Sequence, residues 1–284
     1  MDLPRPSVVL PEGATECHSH VYDPDRFPFL DSELGEAPHP LETYRAVLME
    51  GLGFSRIVVV QPGAYGADNR CTLDAVARIG LERARAVVTT APDVTLDALR
   101  DLHRQGARGL RLTTRASQPG RLSLDDAPRL APLCAELGWH LALQIRDGSV
   151  LPDLVDTLAA LPCPVVIDHL GRVPPGPGRL ATATHPAFQA LLRAVEGGNV
   201  WVKLSGLYYS SAFPWPYPDV EQRVRALVEE RPDRLIYGQN WPHPRRDPKP
   251  DDAKELELFF DFVPDPKVRQ AILVDNPARL YFTD

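Results

Sequence analysis

Residues 56–62 read RIVVVQP, and the residues at the centre of this stretch, 57–60, are all apolar and β-branched. A short run that is apolar on both faces is typical of a strand buried in a parallel sheet. Seven further stretches have the same character: ATECHSHV (14–21), RAVVTTA (85–91), ARGLRLT (107–113), HLALQI (140–145), PVVIDHL (164–170), VWVKLSG (200–206) and RLIYGQN (234–240). The chain is therefore predicted to contain eight buried strands.

Helical patterns lie between these strands. Glycine signals a helix C-terminus in PLETYRAVLMEGLG (40–53) and VTLDALRDLHRQGA (94–107), and apolar residues recur three and four apart in LDDAPRLAPLCAELG (124–138) and VEQRVRALVEE (220–230). This alternation predicts an α/β fold, a (β/α)8 TIM barrel forming a single domain over residues 1–284. An open doubly wound sheet is disfavoured because the chain has no glycine-rich phosphate loop. VPPGPGRLATATHP (173–186) is predicted to be a long loop after the sixth strand.

Composition argues against several classes of function. The chain carries a net charge of -7, and its longest basic run is Arg245–Arg246, which disfavours nucleic-acid binding. No apolar stretch approaches the roughly 18 residues that cross a bilayer. The N-terminal MDLPRPSVVLPEG has an apolar stretch of only three residues and no cleavage signature, so we do not expect secretion. The four cysteines form no CxxC pair, as expected of reduced thiols. We predict a cytoplasmic protein with a small-molecule partner and no nucleic-acid or membrane partner. Whether the chain forms a homo-oligomer is left open.

Polar residues at the strand ends predict a functional site. In TIM barrels the chemistry gathers at the carboxyl ends of the strands, and here the first strand ends in His18-Ser19-His20, whose two imidazoles share a face. The other polar residues at or just after strand ends are Gln61, Asn69, Arg111, Gln144, Asp168, His169, Lys203, Ser205, Gln239 and Asn240. Three histidines on two strands, together with an arginine and an asparagine, favour a catalytic site over buried structural residues.

Strand alternation also sorts neighbouring residues. Arg108 and Arg111 should face opposite ways, so that only one of them points inward. Asp168, next to His169, is predicted to face away from the site and to serve packing or a helix cap. The remaining histidines are predicted to be structural or solvated (His39, His103, His140 and His185) or are ambiguous (His243).

The motifs CHSHVYDP (17–24), PVVIDHLGR (164–172), PDRLIYGQNWPHP (232–244) and LVDNPARLYF (273–282), in this order, resemble the amidohydrolase superfamily. More narrowly, they resemble its metal-independent lactonase branch, typified by 2-pyrone-4,6-dicarboxylate hydrolase. The resemblance covers nearly the whole chain, and it implies a barrel enzyme that acts on a small carboxylated lactone.

Three departures from the hydrolase pattern resemble instead the galactarolactone isomerases of the same branch. Asn240 stands where the hydrolase has an aspartate, Gln144 stands where it has a tyrosine, and GLYYSSAFPWPYPDV (206–220) replaces a segment with a substrate-binding arginine. The complete HSH motif, by contrast, departs from the isomerase, in which the first histidine is replaced. The resemblance implies interconversion of a six-membered and a five-membered lactone.

The chemistry of an amide supports this interpretation. Asn240 cannot take a proton near neutral pH, so activation of water should be poor, whereas an intramolecular hydroxyl benefits from an effective molarity of up to ~10⁵–10⁸ M. We therefore hypothesise that His169, with His20, moves the proton or polarises the carbonyl, and that Asn240 orients the attacking hydroxyl. The predicted catalytic residues are His18, His20, His169 and Asn240.

Arg111 is the best candidate for holding a substrate carboxylate, because a guanidinium binds one bidentately. Arg115 and Arg172 are weaker candidates. Tyr208, with Ser210 and Ser211, is predicted either to bind sugar hydroxyls or to belong to an ordinary loop. Tyr22 and Asn69 are assigned to substrate binding by the resemblance alone, and Gln144, a polar residue at a strand end, is assigned to it as well.

The same residues leave other functions open. His18, His20 and His169 would be a reasonable zinc set. The eighth strand, however, lacks a carboxylate and the fourth lacks a lysine for a bridging carbamate, so we predict no metal and keep zinc as the alternative. The alternative functions are a metal-independent hydrolase of a sugar-acid or pyrone-dicarboxylate lactone, a metal-dependent decarboxylase and a non-catalytic binder.

Overall fold

The computed structural model describes residues 3–114, 122–176 and 183–283, and its centre is a nearly closed barrel of parallel strands. The strands are β1 (Thr15–Ser19), β2 (Arg56–Val60), β3 (Ala84–Val88), β4 (Ala107–Thr113), β5 (Leu122–Ser123), β6 (His140–Gln144), β7 (Val165–Ile167), β8 (Val200–Leu204) and β9 (Leu235–Tyr237). Eight of them follow one another around the barrel in chain order, and the short β5 pairs with β4 outside that path. The predicted TIM barrel is confirmed, and β5 is the strand that the sequence did not predict.

Helices follow the strands and cover the outside of the barrel. They are α1 (Leu41–Arg45), α2 (Arg70–Ile79), α3 (Leu96–Arg104), α4 (Ala127–Glu136), α5 (Leu151–Ala159), α6 (Pro186–Glu196), α7 (Glu221–Glu230), α8 (Asp252–Phe262), α9 (Pro266–Gln270) and α10 (Asn276–Tyr281). The helix predicted over 40–53 is α1 continued by a π-helical segment, Ala46–Gly51. The predicted loop 173–186 lies partly outside the described residues, and its described parts contain no helix or strand before α6 begins.

The strands divide their side chains between the barrel interior and the helix layer, because successive side chains point to opposite faces. In β2, Ile57 and Val59 pack in the large core that includes the helices, whereas Val58 and Val60 pack in a smaller apolar cluster. The smaller cluster fills the inside of the barrel, and its other strand residues are Cys17, Val87, Ala142, Val166, Trp201 and Ile236. Residues two positions further along these strands therefore also point inward, at the carboxyl end.

The barrel closes where β1 meets the end of β9. The backbone N–H of Asn240 donates to the His18 carbonyl at 2.7 Å, and that of His20 donates to the Trp241 carbonyl at 2.9 Å. Gly238 permits this approach, because a Cβ at that position would stand 2.6 Å from the Cβ of His18. The first and last strands of the chain are thus joined directly at the predicted site.

A buried carboxyl group, Glu16, lies at this junction. It accepts hydrogen bonds from the backbone N–H groups of His18 and Gln239, both at 2.8 Å, and from the Ser19 hydroxyl, which also contacts the Tyr44 hydroxyl. Burial raises the pKa of Glu16 from 4.5 to about 7, although these hydrogen bonds act to lower it. The carboxyl group therefore keeps its proton more readily in the folded than in the unfolded chain.

Replacing Glu16 with glutamine should remove part of the pH dependence of stability. A carboxyl group with a raised folded-state pKa destabilises the protein as pH rises between the unfolded and folded pKa values. From about pH 4.5 to about pH 7, we expect wild type to lose up to roughly 3 kcal/mol relative to Glu16→Gln. Urea unfolding of both proteins across this range measures the difference, and the histidines common to both act as an internal control. Parallel stability curves would contradict the assignment.

The four cysteines are free and buried. None of the helices in the described parts of the chain combines the length and the apolar character needed to span a membrane. The single-domain organisation over 1–284, the cytoplasmic location, the absence of a nucleic-acid partner and the oligomeric state remain predictions.

Candidate active site

A cavity of about 290 Å³ opens at the carboxyl ends of the strands, where TIM-barrel enzymes hold their substrates. Seven residues of the predicted site line it: His20, Tyr22, Arg111, Gln144, His169, Arg172 and Asn240. His18, Asn69 and Tyr208 are not among the residues that line it. Arg115 lies outside the described residues.

His18 lies in a fully buried ionic cluster with Asp168 and Lys203. The Lys203 ammonium is 3.0 Å from Asp168 Oδ1 and 3.2 Å from His18 Nδ1, and His18 Nδ1 is 3.2 Å from the same Asp168 oxygen. Burial by itself would raise the pKa of Asp168, but Lys203 and then His18 hold it well below its usual value. Burial lowers the pKa of His18 well below its usual value. The cluster therefore contains a carboxylate balanced by a lysine, beside a neutral imidazole.

The prediction that Asp168 faces away from the site was wrong. Val166 packs inside the barrel, so alternation carries Asp168 inward as well. His169 would then face outward, but the chain leaves the strand after Ile167 and His169 adopts φ +55°, which turns its side chain back toward the cavity. Left-handed backbone continues through Leu170, and strain of this kind is common at functional sites.

His20 presents a hydrogen-bond acceptor to the cavity. Its Nδ1 lies 2.7 Å from the Val60 carbonyl oxygen, which can only accept, so Nδ1 carries the hydrogen and Nε2 has the free lone pair. Burial, followed by the positive charge of Arg111, lowers the pKa of His20 to about 3. His20 is thus a neutral imidazole with its acceptor nitrogen available.

His169 stands beside the ionic cluster. Its ring centroid is 4.5 Å from that of His18, and its Nδ1 is 2.9 Å from the Ser205 hydroxyl. Burial, followed by the effect of His18, lowers its pKa well below the usual value, so it is neutral like the other two histidines.

Arginines dominate the charge of the cavity. The described lining includes five guanidinium groups and no aspartate or glutamate; the arginines are Arg111, Arg146, Arg172, Arg245 and Arg246. Arg111 Nη1 donates to the Gln61 carbonyl at 2.7 Å, while its Nε has no hydrogen-bond partner among the described residues. Arg172 stacks on the Tyr209 ring at 3.7 Å, and its Nε likewise has no partner in that part of the chain. The site therefore favours an anionic ligand in a protein of negative net charge.

Tyr208 supports Asn240 from behind the cavity. The Asn240 amide donates to the Tyr208 hydroxyl at 2.6 Å, and the same hydroxyl is 3.1 Å from His243 Nδ1. The neighbouring Tyr209, rather than Tyr208, lines the cavity. The prediction that Tyr208 binds substrate therefore lacks a direct contact, because adjacent residues of this tight turn point in different directions.

The hydroxyl of Ser211 contacts Asp219 and donates to the Phe213 carbonyl, so it is engaged within its own loop. Asn69, which the resemblance assigned to substrate binding, also makes local contacts. Its amide donates to the Thr89 and Ala67 carbonyls and accepts from the Thr89 N–H. Asn69 therefore ties the segment after β2 to the end of β3 beside the cavity.

The remaining histidines make local contacts. Trp139 Nε1 donates to His103, and His185 caps α6 by accepting from the Ala187 N–H. His140 is fully buried and packs edge-on against Tyr281, while His39 packs against Trp241. His243, ambiguous in sequence, is buried between Tyr208 and Asp252.

One group of side chains in the described ranges has metal-ligand geometry: His18, Asp168 and His169, with ligand atoms within 4.8 Å of one another. His20, which the zinc alternative includes, is not part of this group. The Lys203 ammonium already contacts two of the would-be ligands, and its positive charge opposes a divalent cation there. As the side chains stand, this donor set fits a metal poorly.

The chain matches the amidohydrolase family model over residues 15–283, and it belongs to that family. It is 38% identical to a 4-sulfomuconolactone hydrolase of Hydrogenophaga intermedia, covering 96% of this chain and 90% of that protein. It is 34% identical to a 2-pyrone-4,6-dicarboxylate hydrolase of Comamonas testosteroni (99% and 93%) and 33% identical to a D-galactarolactone isomerase of Agrobacterium fabrum (97% and 93%).

Solved structures share the fold of this chain. An apo crystal structure of an Agrobacterium tumefaciens protein, 33% identical, superposes with a TM-score of 0.86 over 98% of this chain and 99% of that one. A zinc-bound amidohydrolase from Burkholderia multivorans shares the fold at 21% identity and a TM-score of 0.71 (95% and 99%). The chain is thus an enzyme of the amidohydrolase superfamily, and the relatives named above are lactone hydrolases and an isomerase.

Sequence reasoning missed several features of the cavity. Arg245 and Arg246 were noted only as a short basic run, although they follow directly on the WPHP motif. Tyr209 was overlooked beside Tyr208. The pairing of Lys203 with Asp168 had a signal, because an unpaired lysine inside a buried strand is unfavourable and implies a carboxylate partner.

Proposed function

We propose that this enzyme isomerises a carboxylated sugar-acid lactone, such as a 1,5-galactarolactone, to the 1,4-lactone by intramolecular acyl transfer. The observation that carries the proposal is a cavity with arginines but no described carboxylate in its lining, and with Asn240 at the strand end. A carboxylate is the usual base for activating water on a lactone, and the described residues place none at the cavity surface. A hydroxyl of the substrate is already held next to the carbonyl and needs less help.

His20 and Asn240 supply what this reaction requires. The 4-hydroxyl of the substrate donates its proton to His20 Nε2 as its oxygen forms a new bond to the lactone carbonyl carbon. The bond from that carbon to the ring oxygen at position 5 then breaks, and the proton passes to this oxygen. Atoms and charge balance without water. Asn240 orients the substrate by accepting a hydrogen bond from the neighbouring 3-hydroxyl, and His169 stands at the same cavity surface to polarise the carbonyl.

The low pKa of His20 is consistent with this role once an anion is bound. Arg111 is the second largest cause of the shift, after burial. A substrate carboxylate paired with Arg111 would cancel much of that positive charge and so raise the pKa of His20. Binding of the substrate carboxylate at Arg111 would therefore make His20 a stronger base. Arg172 offers a second guanidinium for the carboxylate or a hydroxyl, and Gln144 and Tyr22 offer polar groups for the remaining hydroxyls.

Proton NMR of purified protein with galactaro-1,5-lactone and related aldaro- and aldonolactones tests the proposal. Conversion of one ring size into the other, with little free acid, is the expected result. Persistence of every lactone at its uncatalysed rate would overturn the proposed substrate class.

Hydrolysis of a related lactone is a second candidate. It is favoured by the free Nε2 acceptor of His20, which can also activate water, and by the 38% identity to a named hydrolase. Free acid as the main product in the same NMR experiment would select this function.

We expect the reaction to proceed without metal. Lys203 contacts the carboxylate and one histidine of the candidate donor set, so purified protein should contain far less than one equivalent of zinc, and chelation should leave activity unchanged. In Lys203→Met the opposing charge is gone, and added zinc should raise its melting temperature while leaving that of wild type unchanged. Stoichiometric zinc in wild type by elemental analysis, with loss of activity on chelation, would contradict this expectation.

A further inference from the structure

Behind Asn240, a chain of hydrogen bonds leads away from the cavity to the start of α8. The Tyr208 hydroxyl is 2.6 Å from Asn240 Nδ2 and 3.1 Å from His243 Nδ1, and His243 Nε2 is 3.0 Å from Asp252 Oδ1. Tyr208 and His243 are buried, and Asp252 is partly exposed. The Gln239 side chain also donates to Asp252, at 3.2 Å, which helps to hold the carboxylate in place.

We infer that Asp252, His243 and Tyr208 are positioning residues that dictate which side of the Asn240 amide faces the substrate. The direction of each hydrogen bond follows from the one before it. A carboxylate only accepts, so in neutral His243 it is Nε2 that carries the hydrogen. His243 Nδ1 must then accept, and the Tyr208 hydroxyl donates to it. The Tyr208 oxygen is left to accept from Asn240, which directs the amide NH₂ toward Tyr208.

The orientation of the Asn240 amide determines which of its atoms a ligand meets in the cavity. With its NH₂ held by Tyr208, Asn240 offers its carbonyl oxygen to the ligand and acts as an acceptor. An acceptor can bind the proton of a neighbouring substrate hydroxyl and leave the attacking oxygen free, whereas an NH₂ group could bind the oxygen lone pairs that the attack requires. The role in catalysis rests on the proposed function, but the tautomer of His243 and the orientation of the amide do not.

The backbone of Asn240 is held in place, so the orientation of the side-chain amide is what hydrogen bonding must still determine. Its N–H donates to the His18 carbonyl at 2.7 Å, and its φ of +61° lies in the left-handed region. The side chain therefore enters the cavity from a set position, and only the exchange of its oxygen and nitrogen is left to be decided by hydrogen bonding.

Nitrogen-15 NMR of histidine-labelled protein tests the chain without any substrate. His243, assigned by the signal lost in His243→Gln, should carry its hydrogen on Nε2 in wild type. In Asp252→Asn an amide can donate as well as accept, so we expect the two tautomers to mix. Asp251→Asn is the matched control, because Asp251 caps α8 through the N–H groups of Ala253 and Lys254, and asparagine also caps helices. A hydrogen on Nδ1 in wild type would overturn the inference.

Kinetics test the consequence for Asn240. Tyr208→Phe and Asp252→Asn should each lower kcat about tenfold with little change in KM, the scale of one misdirected hydrogen bond in the transition state. In the Asn240→Ala background the same substitutions should change kcat by less than about twofold, since the amide whose orientation they set is absent. Equal losses in both backgrounds would mean that the chain only supports the fold, and would overturn the inference.

The two kinds of failure are distinguishable. If the NMR result holds and no lactone is converted, the proposed function fails while the orientation of Asn240 stands. If lactone is isomerised but the tautomer of His243 does not respond to Asp252→Asn, the inference fails and the proposed function stands.

Discussion

Replacing Arg111 with methionine should lower kcat/KM for the lactone by about 10²–10³-fold. Arg111 lies on β4 and lines a cavity whose described residues include four further arginines and no carboxylate, so it is placed to bind an anion. Methionine has similar length and keeps the packing but removes the charge. Initial rates measured by NMR or by a coupled assay over a range of substrate concentrations give the effect.

Two variants control this prediction. Arg108→Met changes the same strand on its other side, where the guanidinium donates to the His103 and Ala107 carbonyls, and it should leave kcat/KM unchanged. Arg111→Lys keeps the charge without the bidentate geometry and should lie between wild type and Arg111→Met. An Arg111→Met enzyme of normal activity would show that the carboxylate is bound elsewhere in the cavity.

Replacing Asn240 with aspartate should convert part of the isomerase activity into hydrolysis. The new carboxylate would face the cavity at the end of β9 and could act as a base for water, a contribution on the order of 10²-fold or more. We expect free acid to become a major product, and the ratio of acid to isomerised lactone by NMR measures the change. The release of free acid should rise with pH as the new carboxyl group loses its proton.

Asn240→Ala separates the two effects of this substitution. It removes the amide without adding a base, so isomerisation should fall while hydrolysis stays at the wild-type level. No gain of hydrolysis in Asn240→Asp, in a protein that remains folded, would mean that residue 240 does not choose between water and the substrate hydroxyl.

Local patterns in the sequence were sufficient to predict the barrel. Stretches such as RIVVVQP are apolar on both faces, and only a strand covered on both sides suits them. The position of the site followed from the same pattern, because polar residues such as Arg111 and Gln144 interrupt the apolar strands at their carboxyl ends. Both residues line the cavity.

The alternation of side chains along a strand gave a wrong prediction where the backbone leaves the strand. Asp168 and His169 are adjacent, yet both turn toward the interior, because the strand ends at Ile167 and His169 adopts a left-handed conformation. Nothing in the local sequence determines that φ angle.

The sequence by itself determined the strand order, which residues of each regular strand share a face and the kinds of polar group at the strand ends, because these depend on local periodicity. Only the tertiary structure decided which buried charged and hydrogen-bonding side chains are paired with one another. Lys203 meets Asp168 and His18, and Asn240 meets Tyr208, across long separations in the chain. Such pairings arise when the barrel closes and buried charges and hydrogen-bonding groups must satisfy one another, a condition imposed by the whole fold and not by any one segment.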